Sequence, residues 1–260
     1  MKLLTEFISK QVESIQNDFR SGSATIARNA VYILKNTVMS HGNEINKKDL
    51  IDLAKQLKNV KPSMAALQNI MQTCIYEIGL LNNITEFPAM TFKIFTTMNN
   101  AGEKCLNNTI KILQENNFKN IITCSFSNTI LNLFEKLAES NYDFTAFIVE
   151  SVYDKYNYGM QLFDKCIHSG IKTEYINIGD TEKTLNTIDC VVVGADRILH
   201  DGGAVNGTPS LFLAQKAQSA GKPFYITAES FKHSDILIVE KGFEFIGRKF
   251  ITKIITNQIA

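Results

Sequence analysis

Charge of one sign is what this sequence most plainly lacks: 27 lysines and arginines stand against 26 aspartates and glutamates, for a net of +1. A chain so balanced sets up no global field for gripping a nucleic-acid backbone, so direct nucleic-acid binding is not expected. Long apolar runs are also absent. With 45% hydrophobic and 20% charged residues, the composition fits neither a membrane protein nor a disordered chain. The stretch from Met1 to Glu6 meets an acid early and has no apolar h-region or small-residue cleavage site, so no export signal is expected. Cysteines are few and scattered. Cys74, Cys105, Cys124, Cys166 and Cys190 form no C-x-x-C pair, and an odd set suits free thiols in a reducing compartment better than a disulfide framework. A cytoplasmic location without membrane contact is the expectation.

Several chemical signatures are missing too. The four histidines, His41, His168, His200 and His233, never fall at i,i+4 spacing, so no metal site is expected. There is no P-loop, no G-x-S-x-G elbow and no aromatic RNA-binding signature, which removes the common nucleotide hydrolases, serine hydrolases and simple RNA readers. No cofactor is expected.

What is present divides the chain in two. Up to residue 117 apolar positions such as Phe7, Ile8, Val12 and Ile15 recur three to four residues apart, the period of amphipathic helices. Breaks fall at Ser40-His41-Gly42-Asn43, at Val60-Lys61-Pro62-Ser63 and near Phe87-Pro88, which predicts four or five helices packed as a bundle. After residue 117 short apolar runs alternate with helix-like stretches: 120–123, 145–149, 174–178, 190–193 and 224–227. Such runs suit parallel strands buried on both faces. The predicted fold is therefore α/β, with an N-terminal helical domain over 1–117 and a Rossmann-like parallel-sheet domain over 118–260, joined near residues 100–118 by a continuous helix. In such sheets ligands bind at the carboxyl ends of strands near the topological switch point.

Three strand-end or turn segments could carry chemistry. The richest runs from Val191 to Ser210 and reads as strand, loop, helix. Gly202 and Gly203 permit close backbone approach, Asn206 can donate hydrogen bonds, and Thr208-Pro209 can open the helix as N-cap and N1, leaving N–H groups for an anion. Asp196 sits where a carboxylate can do acid–base work; a plain glycine turn with Asp196 capping or pairing with Arg197 fits the spacing as well. At the end of the first strand, Ser125 or Ser127 can cap the next helix and hold a phosphate. Cys124 there reads either as a nucleophile activated by the helix terminus or, the commoner case, as a buried small hydrophobe. Finally, Arg20-Ser21-Gly22-Ser23 combines a guanidinium suited to phosphate with a helix-capping serine, a composition shared with any exposed turn.

Together these segments resemble the superfamily of the α, β and δ subunits of translation initiation factor 2B, methylthioribose-1-phosphate isomerase and ribose-1,5-bisphosphate isomerase. Arg20-Ser21-Gly22-Ser23 resembles its arginine–glycine loop, Ile122-Thr123-Cys124-Ser125 its first strand end, Glu150-Ser151 its Glu-Ser/Thr-Arg-Pro strand end, and Gly194-Ala195-Asp196-Arg197-Ile198 its Gly-Ala-Asp motif. The tail from Phe250 to Thr256 is similar as well.

The resemblance implies a helical domain, a Rossmann-like domain and a homodimer formed through the latter, with a hexamer as a further possibility. It implies an isomerase site built on a cysteine and the aspartate of Gly-Ala-Asp. Asp196 is retained, but the motif Thr-His-Cys aligns as Thr123-Cys124-Ser125, which shifts the thiol by one residue. Adjacent side chains leave a strand in different directions. Val152 replaces an arginine and Gly207 a lysine. Each charge-assisted contact is worth about 1.5–3 kcal/mol, so losing two would weaken a sugar bisphosphate by roughly a few powers of ten. Lys232 is the candidate replacement cation. The expectation is a non-catalytic chain resembling an archaeal initiation factor 2B-type subunit, which binds a translation-factor partner and a phosphorylated sugar or nucleotide through Arg20, Ser21, Gly22, Ser23, Ser125, Gly202, Gly203, Asn206, Gly207 and Lys232. The alternatives are a sugar-phosphate isomerase using Asp196 and Cys124, and a structural homodimer with a vestigial pocket.

Overall fold

A computed structural model describes residues 2–42 and 44–258. The chain divides into two compact units, Met1–Asn100 and Ala101–Ala260. The first is helical, with α1 over Lys2–Gln16, α2 over Ser23–His41, α3 over Lys47–Asn59, α4 over Ala65–Leu80 and the start of α5, which runs over Phe87–Glu115. The interruptions fall where small polar residues and prolines break the helical period; Asn43, in the first of them, lies outside the described residues. One start is sealed by reciprocal capping. The Asn46 side chain accepts from the amides of Lys48 and Asp49 at 2.8 and 3.1 Å, and the Asp49 carboxylate accepts from the Asn46 amide at 3.0 Å. Three otherwise orphaned donors are thereby satisfied.

The second unit continues from α5 with β1 (Asn120–Cys124), α6 (Asn128–Glu139), β2 (Thr145–Val149), β3 (Val152–Tyr153), β4 (Tyr156–Asn157), α7 (Tyr158–His168) and β5 (Thr173–Ile176). Then come α8 (Thr181–Leu185), β6 (Cys190–Val193), β7 (Arg197–Leu199), β8 (Ala204–Gly207), α9 (Ser210–Ser219), β9 (Phe224–Thr227), β10 (His233–Ser234), β11 (Phe243–Ile246) and β12 (Lys253–Ile255). Six strands form one parallel sheet in the order β12-β9-β6-β1-β2-β5.

Alternation of side chains across the sheet explains its apolar runs. Ile122, Phe147, Val191 and Val193 pack into the core on one face, and Ile121, Ala146, Ile148 and Val192 into the core on the other. The inner strands β9, β6, β1 and β2 bury both sides, as a parallel sheet covered by helices requires. From β1 the chain winds outward through β2 to β5, then returns to place β6 on the opposite flank of β1. The switch point thus lies between the carboxyl ends of β1 and β6, where Cys124-Ser125 and Gly194-Ala195-Asp196 emerge.

Two sequence expectations need correction. The segment from Val191 to Ser210 is not strand, loop, helix, because β7 and β8 form an antiparallel hairpin inside it. Ile198, Leu199, Ala204 and Val205 are all buried, Ile198 and Ala204 join the core on one face of the large sheet, and Gly202 at φ 82° makes the turn. With β10 and β11 the hairpin builds a second, four-stranded sheet ordered β10-β7-β8-β11. The strand expected over 174–178 ends at Ile176, and a single turn of 3-10 helix follows over Ile178–Asp180.

Candidate functional site

At the end of β1 the chain turns sharply. Ser125 takes a left-handed conformation at φ 63°, which is strained for a residue with a side chain. Its amide is held by donation to the Ser151 hydroxyl at 2.8 Å, and that hydroxyl donates to the Val149 carbonyl at 2.8 Å. Two residues on, Ser127 caps α6 by accepting from the Ile130 amide at 3.4 Å. Of the two serines proposed as caps, Ser127 takes that role.

Cys124 faces the other way, into the core. Its sulfur lies 3.3 Å from the Ser210 hydroxyl. Burial pushes the thiol up to about 12, against the lowering by the Ser210 hydrogen bond and with a smaller raising contribution from the Glu244 charge. At neutral pH it is a protonated, enclosed thiol, the opposite of an activated nucleophile.

Asp196 follows β6 half-buried, its amide donating to the Val205 carbonyl at 2.8 Å. Beside it is a buried ion pair at the end of β9: Lys232 Nζ lies 2.8 Å from Glu229 Oε2, with both side chains at most 7% exposed. Thr129 Oγ1 donates to Glu229 Oε1 at 3.2 Å. Burial by itself drives Lys232 toward its neutral form, but the charges of Glu229 and then Asp196 outweigh it and hold the amine above the ordinary lysine value. Burial likewise opposes the charge on Glu229, and Lys232 reverses the balance, so that carboxyl sits below its ordinary value. The tip of Lys232 is therefore matched by protein carboxylates. Arg197 is fully buried on β7. Its guanidinium donates to the Ile236 carbonyl at 3.0 Å and to the Ser234 hydroxyl, anchoring the segment after β10.

The β8–α9 junction departs from the expected phosphate cradle. Pro209, not Thr208, is the N-cap, and Ser210 is the first helical residue. The seat for an anion at this helix start is filled from within. Glu244 on β11 accepts from the Leu211 amide at 2.7 Å and from the Thr208 hydroxyl at 3.0 Å. Glu244 is paired in register with Asn206, so the two side chains share a face of the small sheet. Asn206 donates to the Ser210 hydroxyl at 2.8 Å, which in turn donates to the Gly207 carbonyl at 2.6 Å. A β-carbon on Gly207 would lie 2.5 Å from the Ser125 hydroxyl, so glycine is what lets the β1 and β8 ends meet. Gly202 and Gly203 also serve close approaches, but to the chain itself: a β-carbon would meet Arg248 Cδ at 2.5 Å and the Phe245 ring at 2.6 Å, respectively.

Sequence reasoning thus located Cys124, Ser125, Asp196, Asn206, Gly207 and Lys232 at or beside one strand-end region. It missed the roles of Ser151, Thr129, Glu229 and Glu244. The signal for Glu244 was the strand-like alternation Phe243-Glu244-Phe245, an acid between two aromatic residues.

The Arg20-Ser21-Gly22-Ser23 turn belongs to the first unit. Asp18 accepts from the amides of Arg20 and Ser21 at 3.0 and 2.9 Å. Ser23 does not cap α2. The Gly22 carbonyl already takes the first helical bond, from the Ile26 amide at 3.0 Å, which makes Gly22 the N-cap and buries Ser23 in the first turn. Among the described residues, no three His, Cys, Asp or Glu side chains are grouped to hold a metal, and no helix is long and apolar enough to cross a membrane.

Comparison with known proteins places these features. The model of the initiation factor 2 subunit family matches residues 20–244. The chain belongs to this family. Among relatives in the family, a putative translation initiation factor eIF-2B subunit 2-like protein of Pyrococcus horikoshii is 26% identical over 198 residues, covering 74% of this chain and 69% of the relative. The ribose 1,5-bisphosphate isomerase of Archaeoglobus fulgidus is 23% identical over 239 residues, covering 88% of this chain and 72% of the enzyme. The crystal structure of the Pyrococcus horikoshii translation initiation factor eIF-2B shares the fold, with a TM-score of 0.82 at 22% identity over 96% of this chain and 94% of that one. The family therefore includes both translation-factor subunits and a sugar-phosphate isomerase.

Proposed function

We propose that this chain is a non-catalytic, initiation factor 2B-type member of the family that binds protein partners and a phosphorylated sugar or nucleotide at the β1–β6 switch point. The observation that carries the reading is Cys124. A thiol enclosed in the core and pushed up to about 12 has no thiolate to offer at neutral pH, and the residue that makes the strand-end turn is Ser125, whose hydroxyl is a far weaker acid. Lys232, the candidate replacement cation, is engaged by Glu229. In the first unit, the Arg20-Ser21-Gly22-Ser23 turn is proposed as a separate anion-binding element.

Self-association is part of this reading. Ile236, Leu237 and Val239 are 64, 50 and 43% exposed on the segment that Arg197 anchors. Three large aliphatic side chains within four residues are the sort of surface that a second copy of the chain would cover. A cytoplasmic location follows from the same reading.

The isomerase reading keeps one observation in its favour: Asp196 stands half-buried at a strand end with a lysine charge beside it. The deciding experiment is an isomerase assay with ribose 1,5-bisphosphate and methylthioribose 1-phosphate, with calorimetric titration of sugar monophosphates and AMP. Binding without turnover is expected. Turnover abolished by Asp196→Asn in a folded protein would replace the proposed function with an isomerase.

A further inference from the structure

The side chains assembled around the switch point have an unusual charge balance for a phosphate site. Lys232 stands with the carboxylates of Glu229 and Asp196, and a further carboxylate, Glu244, lies at the start of α9. Lys232 is buried against Glu229 at 2.8 Å and also carries the influence of Asp196. Glu244 has no such counter-charge among its hydrogen-bond partners; it is held by the Leu211 amide at 2.7 Å and the Thr208 hydroxyl at 3.0 Å. Those groups lie at the start of α9, a helix of 10 residues. Helix starts offer inward-pointing N–H groups and a positive dipole end, the usual seat of a phosphate. Here a carboxylate from β11 already sits in it.

The neighbouring position carries no cation and is crowded. Gly207 precedes Thr208, and any side chain at 207 would begin 2.5 Å from the Ser125 hydroxyl. The backbone of Ser125 is tied to Ser151, so only its hydroxyl can move aside.

We propose that Glu244 is a built-in anion that fills the α9 seat and, with Gly207, sets the ligand's charge: the site takes a sugar or nucleoside carrying no more than one phosphate and rejects a bisphosphate. This rests on the ligand-binding half of the proposed function. A second phosphate brought to α9 would have to displace Glu244 from two hydrogen bonds, and until it did so the two anions would repel. A monophosphate or an uncharged polyol has no need of that seat.

The test is calorimetric titration of ribose 5-phosphate, AMP and ribose 1,5-bisphosphate into the wild-type chain, Glu244→Gln and Glu244→Ala. The wild type is expected to bind at least one of the monophosphates about tenfold or more tightly than the bisphosphate. Glu244→Ala should raise bisphosphate affinity about tenfold or more while shifting monophosphate affinity far less. Glu244→Gln keeps the hydrogen-bonding shape without the charge and serves if the alanine variant does not fold; it should move the ratio in the same direction. Equal or tighter bisphosphate binding by the wild type, or a ratio unmoved in a folded variant, overturns the role of Glu244 and leaves the ligand-binding reading standing. Failure of every protein to bind any of the three ligands overturns both.

Discussion

Cys124 and Lys232 show how burial decides what a reactive residue does. All five cysteines are buried, and burial raises Cys74, Cys105, Cys124 and Cys166 to about 12. Native protein at pH 8 is therefore expected to react with a thiol reagent only at the rate at which it opens, with all five groups reacting rapidly in denaturant; prompt labelling of Cys124, located by mass spectrometry, would contradict its enclosed state. For Lys232 the expectation is energetic. Lys232→Met leaves the Glu229 carboxylate buried without its counter-charge, a change that costs about 3–5 kcal/mol. Urea denaturation should show most of that loss recovered in Lys232→Met/Glu229→Leu, because replacing both members of a buried pair removes the stranded charge. At this scale the sequence displayed residue types but not their neighbours. Asp196, Asn206 and Cys124 could be placed at strand ends because the apolar runs fixed where strands stop. That Glu244 would reach the helix start after Pro209 depends on an antiparallel pairing 38 residues apart, Glu244 opposite Asn206, and no local pattern encodes it.

Elements were legible in proportion to how locally they are specified. The capping of α3 follows from Asn46 and Asp49 alone, and Asn46→Ala is expected to cost about 1 kcal/mol in thermal or urea unfolding. The strands β1, β2, β6 and β9 announced themselves through continuous apolar runs, since each is buried on both faces. The small sheet did not. Its members β7, β8 and β10 are two to four residues long, too short to display a period. That sheet also carries a pH dependence. His233 on β10 is held below the ordinary histidine value by burial and then by the charge of His200, whose ring lies 6.2 Å away in a stacked arrangement. His200 itself contacts the Asp235 carboxylate at 2.5 Å, and Arg197 and Glu240 are the other charges near this edge. The unfolded chain protonates His233 near pH 6.5, before the folded one does, so the stability it contributes is complete above that pH and is lost as pH falls toward its lower folded value. Denaturation free energies measured between pH 7.5 and 5.5 should fall for the wild type and fall less for His233→Gln.

For the molecule as a whole, the expected partner is another copy of itself. If the aliphatic segment at Ile236, Leu237 and Val239 is the contact, sedimentation should give a dimer for the wild type and a monomer for Ile236→Asp/Leu237→Asp, with the circular dichroism spectrum unchanged. A wild-type monomer at micromolar concentration, or a dimer indifferent to the double substitution, would move the interface elsewhere. The family membership is similarly a property of the whole chain. It rests on a match over residues 20–244, whereas the proposed function rests on single positions, the shift at Thr123-Cys124-Ser125 and the glycine at 207.

The order of strands in the large sheet has one more consequence, for synthesis. β1 ends at Cys124 and its neighbour β6 begins at Cys190, so a ribosome adding about 5–20 residues per second leaves that flank of β1 unpartnered for roughly 3–13 s. During that interval the backbone of Ile121 and Ile122, which later pairs with Cys190 and Val191, is an edge open to any other nascent strand. β1 and β2 can pair early, but the centre of the sheet closes only on the return of the chain. The interval in which the centre of the sheet stays open is therefore set by its topology, and shortening the excursion between β1 and β6 would shorten it.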